Sequence, residues 1–138
     1  MSEMTRRDGS TLEISHFTVG DLHQLRSMVA RAAHRVGLSR LCTENLVVAV
    51  NEVAVNAIQY AGGGSVVVED DGDAVAVRVT DHGPGLPGHR VDIPEERPAV
   101  DAVRGRGLWL ARRLCQGLSI VSGPAGVTVR LSMSRADG

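Results

Sequence analysis

The stretch from residue 51 to residue 58 reads NEVAVNAI and places Glu52 and Asn56 four residues apart. Its apolar residues recur at helical spacing, and residues four apart on a helix share one face. The carboxylate and the amide are therefore expected to point into the same space. A carboxylate can take a proton from an attacking hydroxyl or water, and an amide oxygen can complete the coordination shell of Mg²⁺. The pair predicts a site where a proton acceptor and a hard cation meet on one helix.

A first glycine-rich segment, residues 81–85, reads DHGPG. Asp81 ends the strand-like run 75–80, and a carboxylate in that place can accept a hydrogen bond from the exocyclic amine of a base. Gly83 and Gly85 allow a close backbone approach and unusual dihedral angles. This segment predicts a turn that presents an acceptor at the end of a strand.

A second glycine-rich segment, residues 105–108, reads GRGL. Gly105 and Gly107 are expected to open a helix, and the bare N–H groups at a helix N-terminus attract phosphate. The sequence contains no lysine, since all 15 basic residues are arginine. This excludes a P-loop. The positive charge that contacts a phosphate must therefore come from a metal ion or from arginine. Arg104 and Arg106 are the arginines nearest to the second glycine-rich segment in the sequence.

The remaining pattern predicts the order strand, two helices, two strands, long loop, helix, two strands. Clustered antiparallel strands with helices on one face indicate an α+β two-layer sandwich, because a doubly wound sheet would need regular alternation of strands and helices. The predicted elements are a strand at 11–17, a helix from Thr18 to Gly37, a helix from Ser39 to Gly62, a hairpin at 66–80, a short helix at 108–115 and a hairpin at 118–133. The second helix is apolar on nearly two sides, which predicts a central position.

Residues 11–133 are expected to form one domain. Polar composition predicts a disordered tail at residues 1–10, and residues 134–138 form a C-terminal tail. Residues 86–104 lack periodicity, and a loop of this length inside a compact domain is usually functional, so they predict a lid.

Composition excludes several classes of protein. A formal net charge of −1 gives no broad attraction to nucleic acid. The sequence has no run of 18 apolar residues, so no membrane span is expected. Cys42 and Cys115 lack the paired spacing of metal ligands and are expected to be buried free thiols in a reducing cytoplasm.

The three motifs, in this order, resemble those of the GHKL ATPases, which have the Bergerat fold, and within them the small anti-sigma-factor serine kinases. Residues 51–58 resemble the N box of that family, residues 81–85 its first glycine box, and residues 105–110 (GRGLWL) its second. The resemblance spans residues 11–133. It implies a Bergerat-type sandwich with an antiparallel-rich sheet covered by helices on one face.

The resemblance also implies ATP and Mg²⁺ as cofactors. Glu52 would be the general base, Asn56 would hold Mg²⁺ against the phosphates, and Asp81 would accept a hydrogen bond from the adenine amine. The residues implied to bind nucleotide are Asn56, Asp81, Gly83, Gly85, Arg104, Gly105, Arg106, Gly107 and Leu108.

In that family the substrate is a serine on a small antagonist protein, and the unphosphorylated antagonist competes with a sigma factor for the kinase. The resemblance therefore implies a cytoplasmic, ATP-dependent serine/threonine protein kinase that sequesters a sigma factor. It implies protein partners, no direct nucleic-acid or membrane contact, and a homodimer as one option for the assembly.

Two positions depart from the family pattern. Tyr60 stands where some relatives carry histidine, and Val103 stands where some carry a phosphate-binding arginine. Both departures concern phosphoryl transfer rather than ATP binding, so a non-catalytic ATP-binding interaction module is the alternative function. The catalytic piece of a sensor histidine kinase is a third option, but it lacks a helix pair carrying a phospho-accepting histidine.

Overall fold

The computed structural model describes residues 4–8, 11–83, 103–124 and 126–135, with the backbone alone at 4–8 and 103–106. In this part of the chain six strands form one antiparallel sheet in the order β1-β2-β3-β4-β6-β5. The strands are β1 Met4–Asp8, β2 Thr11–Phe17, β3 Gly64–Asp70, β4 Ala74–Asp81, β5 Gly117–Gly123 and β6 Gly126–Ser134. The helices are α1 Leu22–Val36, α2 Arg40–Ala61 and α3 Val103–Leu114.

The helices cover one face of the sheet, which confirms the predicted α+β two-layer sandwich. Strands β4 and β6 alternate between buried and more exposed residues, as a half-buried strand should. Their core-facing side chains are Val75, Val77, Val79, Val127, Val129, Leu131 and Met133. These valines and their neighbours pack against α1 and α2, so the core lies between the sheet and the helices.

The end of α1 and both ends of α2 lie where the sequence predicted them, whereas α1 begins at Leu22, after a 3-10 turn at Val19–Asp21, rather than at Thr18. Gly37 and Gly62 follow the two helices in the left-handed conformation, with φ of 84° and 78°, which glycine adopts without strain. Oγ of Ser39 accepts a hydrogen bond from the backbone N–H of Cys42 at 3.1 Å and caps α2. Nη1 of Arg26 on α1 donates a hydrogen bond to Oδ1 of Asn51 on α2 at 3.0 Å and links the two helices.

Helix α2 is long and apolar enough to cross a membrane by length and composition alone, with a mean hydropathy of 1.3 over an 18-residue window. The core helix of a globular domain passes the same test. Here α2 contributes six buried apolar residues, including Leu46, Val50 and Val53, to the core under the sheet. Its apolar character therefore has a structural explanation within the domain.

Strand β1 corrects the expectation of a disordered tail at residues 1–10. Met4 lies opposite Ile14 and Arg6 lies opposite Leu12 in an antiparallel pairing with β2. Without β1, the edge of β2 would present unpaired N–H and C=O groups, and a further strand satisfies them whatever its side chains are.

The boundaries at two other places also differ from expectation. β6 continues through Ser134, and Nη2 of Arg135 lies 2.7 Å from Oδ1 of Asp73, so the predicted C-terminal tail begins with ordered residues. Of the predicted lid, residues 86–102 lie outside the described residues, while Val103 and Arg104 belong to α3.

Both cysteines are free thiols and are partly buried. Cys42 lies in α2, and Cys115 lies one residue beyond the end of α3. Burial raises the pKa of the Cys115 thiol to about 12, so this thiol stays protonated at neutral pH.

Candidate functional site

Asn56 and Asp81, predicted from separate motifs, come together at one cavity. In the described part of the chain they are the two buried polar side chains, with exposed fractions of 6% and 5%. The other residues that line the cavity are Val53, Ala57, Val79, Leu108, Val127 and Val129. One amide and one carboxylate thus stand in an otherwise aliphatic pocket between α2, α3 and the ends of β4 and β6.

Backbone N–H groups hold the carboxylate of Asp81 in place. Its Oδ1 accepts hydrogen bonds from the N–H of Gly83 and the N–H of Val127, each at 3.2 Å. The pairing of Thr80 with Thr128 sets this geometry, because it brings the next residue of β4 beside the first residues of β6. The position of the carboxylate is therefore set by the main chain of two strands.

Gly126 is a part of the site that the motifs did not reveal. Its φ is 138°, and a Cβ built on it would lie 2.0 Å from the carbonyl oxygen of Asp81. Only glycine fits there, because a side chain would separate β6 from the end of β4. The only signal in the sequence was the position of this glycine in the turn of the predicted second hairpin.

Helix α3 closes the cavity over Asn56. A Cβ built on Gly107 would lie 2.9 Å from Nδ2 and 3.1 Å from Oδ1 of Asn56, so the backbone of α3 rests on the amide. Leu108, 6% exposed, follows it and fills one wall of the cavity. The structure therefore brings Gly107 and Leu108 of the second glycine box to Asn56 and Asp81.

The start of α3 differs from the prediction. Gly105 and Gly107 were expected to open the helix, but it begins at Val103. Each glycine costs a helix about 1 kcal/mol relative to alanine, which is why the sequence favoured a later start. The N–H groups without an intrahelical acceptor are thus those of the first four residues, 103–106, rather than that of Gly107.

Glu52 stands apart from the cavity. It lies on α2 one turn before Asn56, is partly exposed, and does not belong to the cavity lining. It is therefore accessible to a group that arrives from outside the domain. Tyr60, at the C-terminal end of the same helix, is 46% exposed.

For four predicted site residues the structure describes no contact with the cavity. Gly85 lies outside the described residues. Arg104, Gly105 and Arg106 lie in the first turn of α3, where the backbone alone is described. Their roles stay predictions.

The chemistry of the cavity lining suits a mostly apolar ring that carries an amine. Aliphatic side chains form its walls, and the Asp81 carboxylate is its acceptor. Its volume of about 10 Å³ is room for roughly one water molecule, whereas ligand pockets measure roughly 300–1,000 Å³. A ring can therefore enter only when one wall moves. Three walls belong to α2, β4 and β6, and Leu108 on α3 forms the fourth.

Residues 16–133 match the family described as the histidine kinase-like ATPase domain. No curated protein matches the chain by sequence.

Two solved structures share the fold. The RsbU and RsbW domains of Rv1364c from Mycobacterium tuberculosis match with a TM-score of 0.65 and 18% identity, over 94% of this chain and 33% of that one. The histidine kinase domain from the Erythrobacter litoralis EL346 blue-light activated histidine kinase matches with a TM-score of 0.53 and 21% identity, over 89% of this chain and 69% of that one. This chain thus spans about one third of the mycobacterial chain.

The family match covers most of the chain, and within it the structure places Asn56 of the N box, Asp81 of the first glycine box and Gly107 of the second around one cavity. The chain belongs to the histidine kinase-like (GHKL, Bergerat-fold) ATPase family.

Proposed function

We propose that this protein is an ATP-dependent anti-sigma-factor serine/threonine kinase, which sequesters a sigma factor and phosphorylates a small antagonist protein. The observation that carries the proposal is the arrangement of three side chains. Asn56 and Asp81 share a buried cavity, and Glu52 lies on the same helix as Asn56 but outside the cavity, where it can meet a second substrate. The fold shared with the structure of the RsbU and RsbW domains of Rv1364c supports it.

In this proposal Asp81 reads the base. Two main-chain N–H groups occupy one carboxylate oxygen, Oδ1, and fix the orientation of the group. A carboxylate can accept further hydrogen bonds, and the adenine amine is a donor that complements it. Val79, Val129 and Leu108 would enclose the ring and exclude water.

Asn56 would hold Mg²⁺ through its amide oxygen. The described residues contain no group of three His, Cys, Asp or Glu side chains able to hold a metal ion. A hard cation at Asn56 would therefore take its remaining ligands from phosphate and water, which is the way Mg²⁺ binds in nucleotide sites. Bound there, Mg²⁺ would neutralise charge on the phosphates.

Glu52 would act as the general base for the incoming serine hydroxyl. Positioning and electrostatics dominate phosphoryl transfer, so the base adds to a geometry that the rest of the site sets. We further propose that Gly83, Gly85, Gly105 and Gly107 allow a lid over the nucleotide, and that Arg104 and Arg106 contact the phosphates. A cytoplasmic location belongs to the same proposal.

A non-catalytic ATP-binding module is the second candidate. Val103, at the first residue of α3, stands where some relatives place a phosphate-binding arginine. An interaction module would bind ATP and its partner without transferring phosphate.

Phosphate transfer in a lysate of the native cell separates the two. Purified protein is mixed with the lysate and γ-labelled ATP. A lysate protein that becomes labelled on serine only when the purified protein is added supports the kinase. Asp81→Asn serves as the control that cannot bind nucleotide well. If calorimetry shows ATP binding but no lysate protein becomes labelled, the interaction module is the function that fits.

A further inference from the structure

We propose that Thr80 and Thr128 are positioning residues for base recognition, which act through Asp81. The hydrogen bond between their hydroxyls closes the end of the contact between β4 and β6, and so keeps the Asp81 carboxylate in place at the cavity. This inference rests on the proposed function, in which Asp81 binds the adenine amine, and adds to it the side chains that hold the carboxylate there.

The two threonines lie on the face of the sheet that points away from the cavity. Both neighbours of Thr80 in β4 line the cavity, and so do both neighbours of Thr128 in β6. Successive side chains of a strand point to opposite faces, so the two hydroxyls lie on the far side of the sheet. Any effect of these hydroxyls on base binding must therefore pass through the backbone of their neighbours.

The two hydroxyls are bonded to each other across the strands. Oγ1 of Thr80 lies 3.1 Å from Oγ1 of Thr128, and either atom can be the donor. The two residues stand directly opposite each other in the antiparallel pairing of β4 with β6. A hydrogen bond between facing threonines is one of the cross-strand contacts that stabilise a sheet.

This threonine pair is the last pair in the register between β4 and β6. The pairing of the two strands is continuous over seven pairs of residues and ends at Thr80 and Thr128. One residue further, the N–H of Val127 donates to Oδ1 of Asp81 at 3.2 Å. The ends of paired strands open more easily than their middles, and opening here would take that N–H away from the carboxylate. A side-chain bond at the last pair opposes this opening.

The contact of Asp81 with β3 is built differently. Gly64 pairs with Asp81 itself, and a Cβ built on Gly64 would overlap the carbonyl oxygen of Thr80 and lie 2.9 Å from Cα of Asp81. The backbone of β3 therefore fits closely against the end of β4. The pairing with β6 stops one residue before Asp81, so β6 is the side on which the position of the carboxylate depends on a side-chain bond.

The test compares the affinities of ATP and of purine riboside triphosphate, which carries a hydrogen atom in place of the adenine amine. Calorimetry gives the ratio of the two affinities for the wild type, for Thr80→Val, for Thr128→Val and for the double variant. Valine keeps the branched shape and removes the hydroxyl, whereas Thr128→Ser keeps a hydroxyl and serves as the rescue. Thr11→Val is the matched control, because Thr11 lies on β2, which pairs with β1 and β3. Thermal melting checks that each variant is folded.

We expect the wild type to prefer ATP by about tenfold or more, as a hydrogen bond to a charged group should give. Each valine variant should reduce this preference by roughly two- to fivefold, the range for one cross-strand pair, with the affinity for the analogue unchanged. The double variant should lose no more than a single variant, because both substitutions remove the same bond. The rescue and the control should keep the wild-type preference.

Two results would overturn the positioning role and leave the proposed function standing. In the first, the valine variants keep the full preference for ATP. In the second, they lose affinity for both nucleotides by the same factor, which a purely structural role would produce. A wild type that binds both nucleotides equally would instead overturn the proposed binding of the amine by Asp81, and the positioning role with it.

Discussion

Gly107 of α3 rests directly on the side-chain amide of Asn56, with 2.9 Å between Nδ2 and the position that a Cβ would take. No side chain fits in that space unless the amide or the helix moves. The second glycine box is therefore a contact surface for the N box, in addition to any role toward phosphate. This contact and the hydrogen bonds of Asp81 carry most of the predictions.

Gly107→Ala should weaken Mg²⁺·ATP binding and lower the melting temperature. The new methyl group would push on the amide of Asn56, and overpacking of this kind costs about 1–3 kcal/mol, which is expected to exceed the gain of about 1 kcal/mol from replacing a glycine inside a helix. Gly123→Ala is the matched control, because a Cβ there meets nothing within 4 Å. Calorimetry and thermal melting measure both variants. A Gly107→Ala protein that binds and melts like the control would show that α3 does not press on Asn56.

Asp81→Asn should lose about 1.5–3 kcal/mol of ATP binding, the value of a hydrogen bond to a charged group. Asparagine keeps an oxygen for the N–H groups of Gly83 and Val127, so the fold should survive. Asp73→Asn, at the exposed tip of the β3–β4 hairpin, controls for loss of one negative charge. Titration calorimetry gives the affinities. Unchanged affinity in the folded Asp81 variant would remove Asp81 from the binding site.

Asn56→Ala should weaken ATP binding more in Mg²⁺ than in EDTA. The amide is proposed to act through the metal ion, and ATP without metal has little use for it. Binding is measured in both buffers on the same preparation, with Asn45→Ala, elsewhere on α2, as the control for helix effects. Losses of equal size in the two buffers would mean that Asn56 has a structural role, with its amide hydrogen-bonded within the protein.

Glu52→Gln should bind ATP nearly normally and lose most phosphate transfer. Glutamine keeps the size and hydrogen bonding of glutamate but cannot take a proton, and a general base contributes about 10²–10⁴-fold. The readout is the initial rate of label transfer in the native lysate, with Glu44→Gln, exposed on the same helix, as the control. Transfer at the wild-type rate would leave the kinase intact and assign its base to another group.

Trp109 should report the movement of α3. It is the one tryptophan of the chain, it follows Leu108, and the guanidinium carbon of Arg113 lies 5.3 Å from the centre of its ring. If Leu108 retreats to admit a base, the surroundings of the indole change, and its emission should shift on addition of Mg²⁺·ATP. The Asp81→Asn variant should show no shift at the same ATP concentration. A wild-type emission spectrum that stays constant under saturating ATP would mean that another wall opens.

Local signals predicted most of the fold. Gly37, Ser39 and Gly62 marked the helix ends, and alternation marked β4 and β6, because capping and periodicity act over a few residues. β1 could not be predicted this way, since its partner is the edge of β2 and its own composition is polar.

The residues that line the cavity were predicted better than the contacts that hold them in place. Asn56, Asp81, Gly107 and Leu108 were identified from their motifs, and the structure places all four together. The support of Asp81 by the N–H of Val127 was not predicted, because it joins residues 46 apart and depends on the register between β4 and β6.

That support has a consequence for the turn between β5 and β6. The hairpin register fixes where β6 begins, and the first residues of β6 supply the N–H group that orients the Asp81 carboxylate. One residue added to or removed from this turn would interchange the two faces of β6 relative to its neighbours and carry the amide away from Asp81. If Asp81 binds adenine as proposed, the length of this turn sets the position of its acceptor, and a variant altered only there is expected to lose nucleotide binding with every proposed ligand-facing side chain still present.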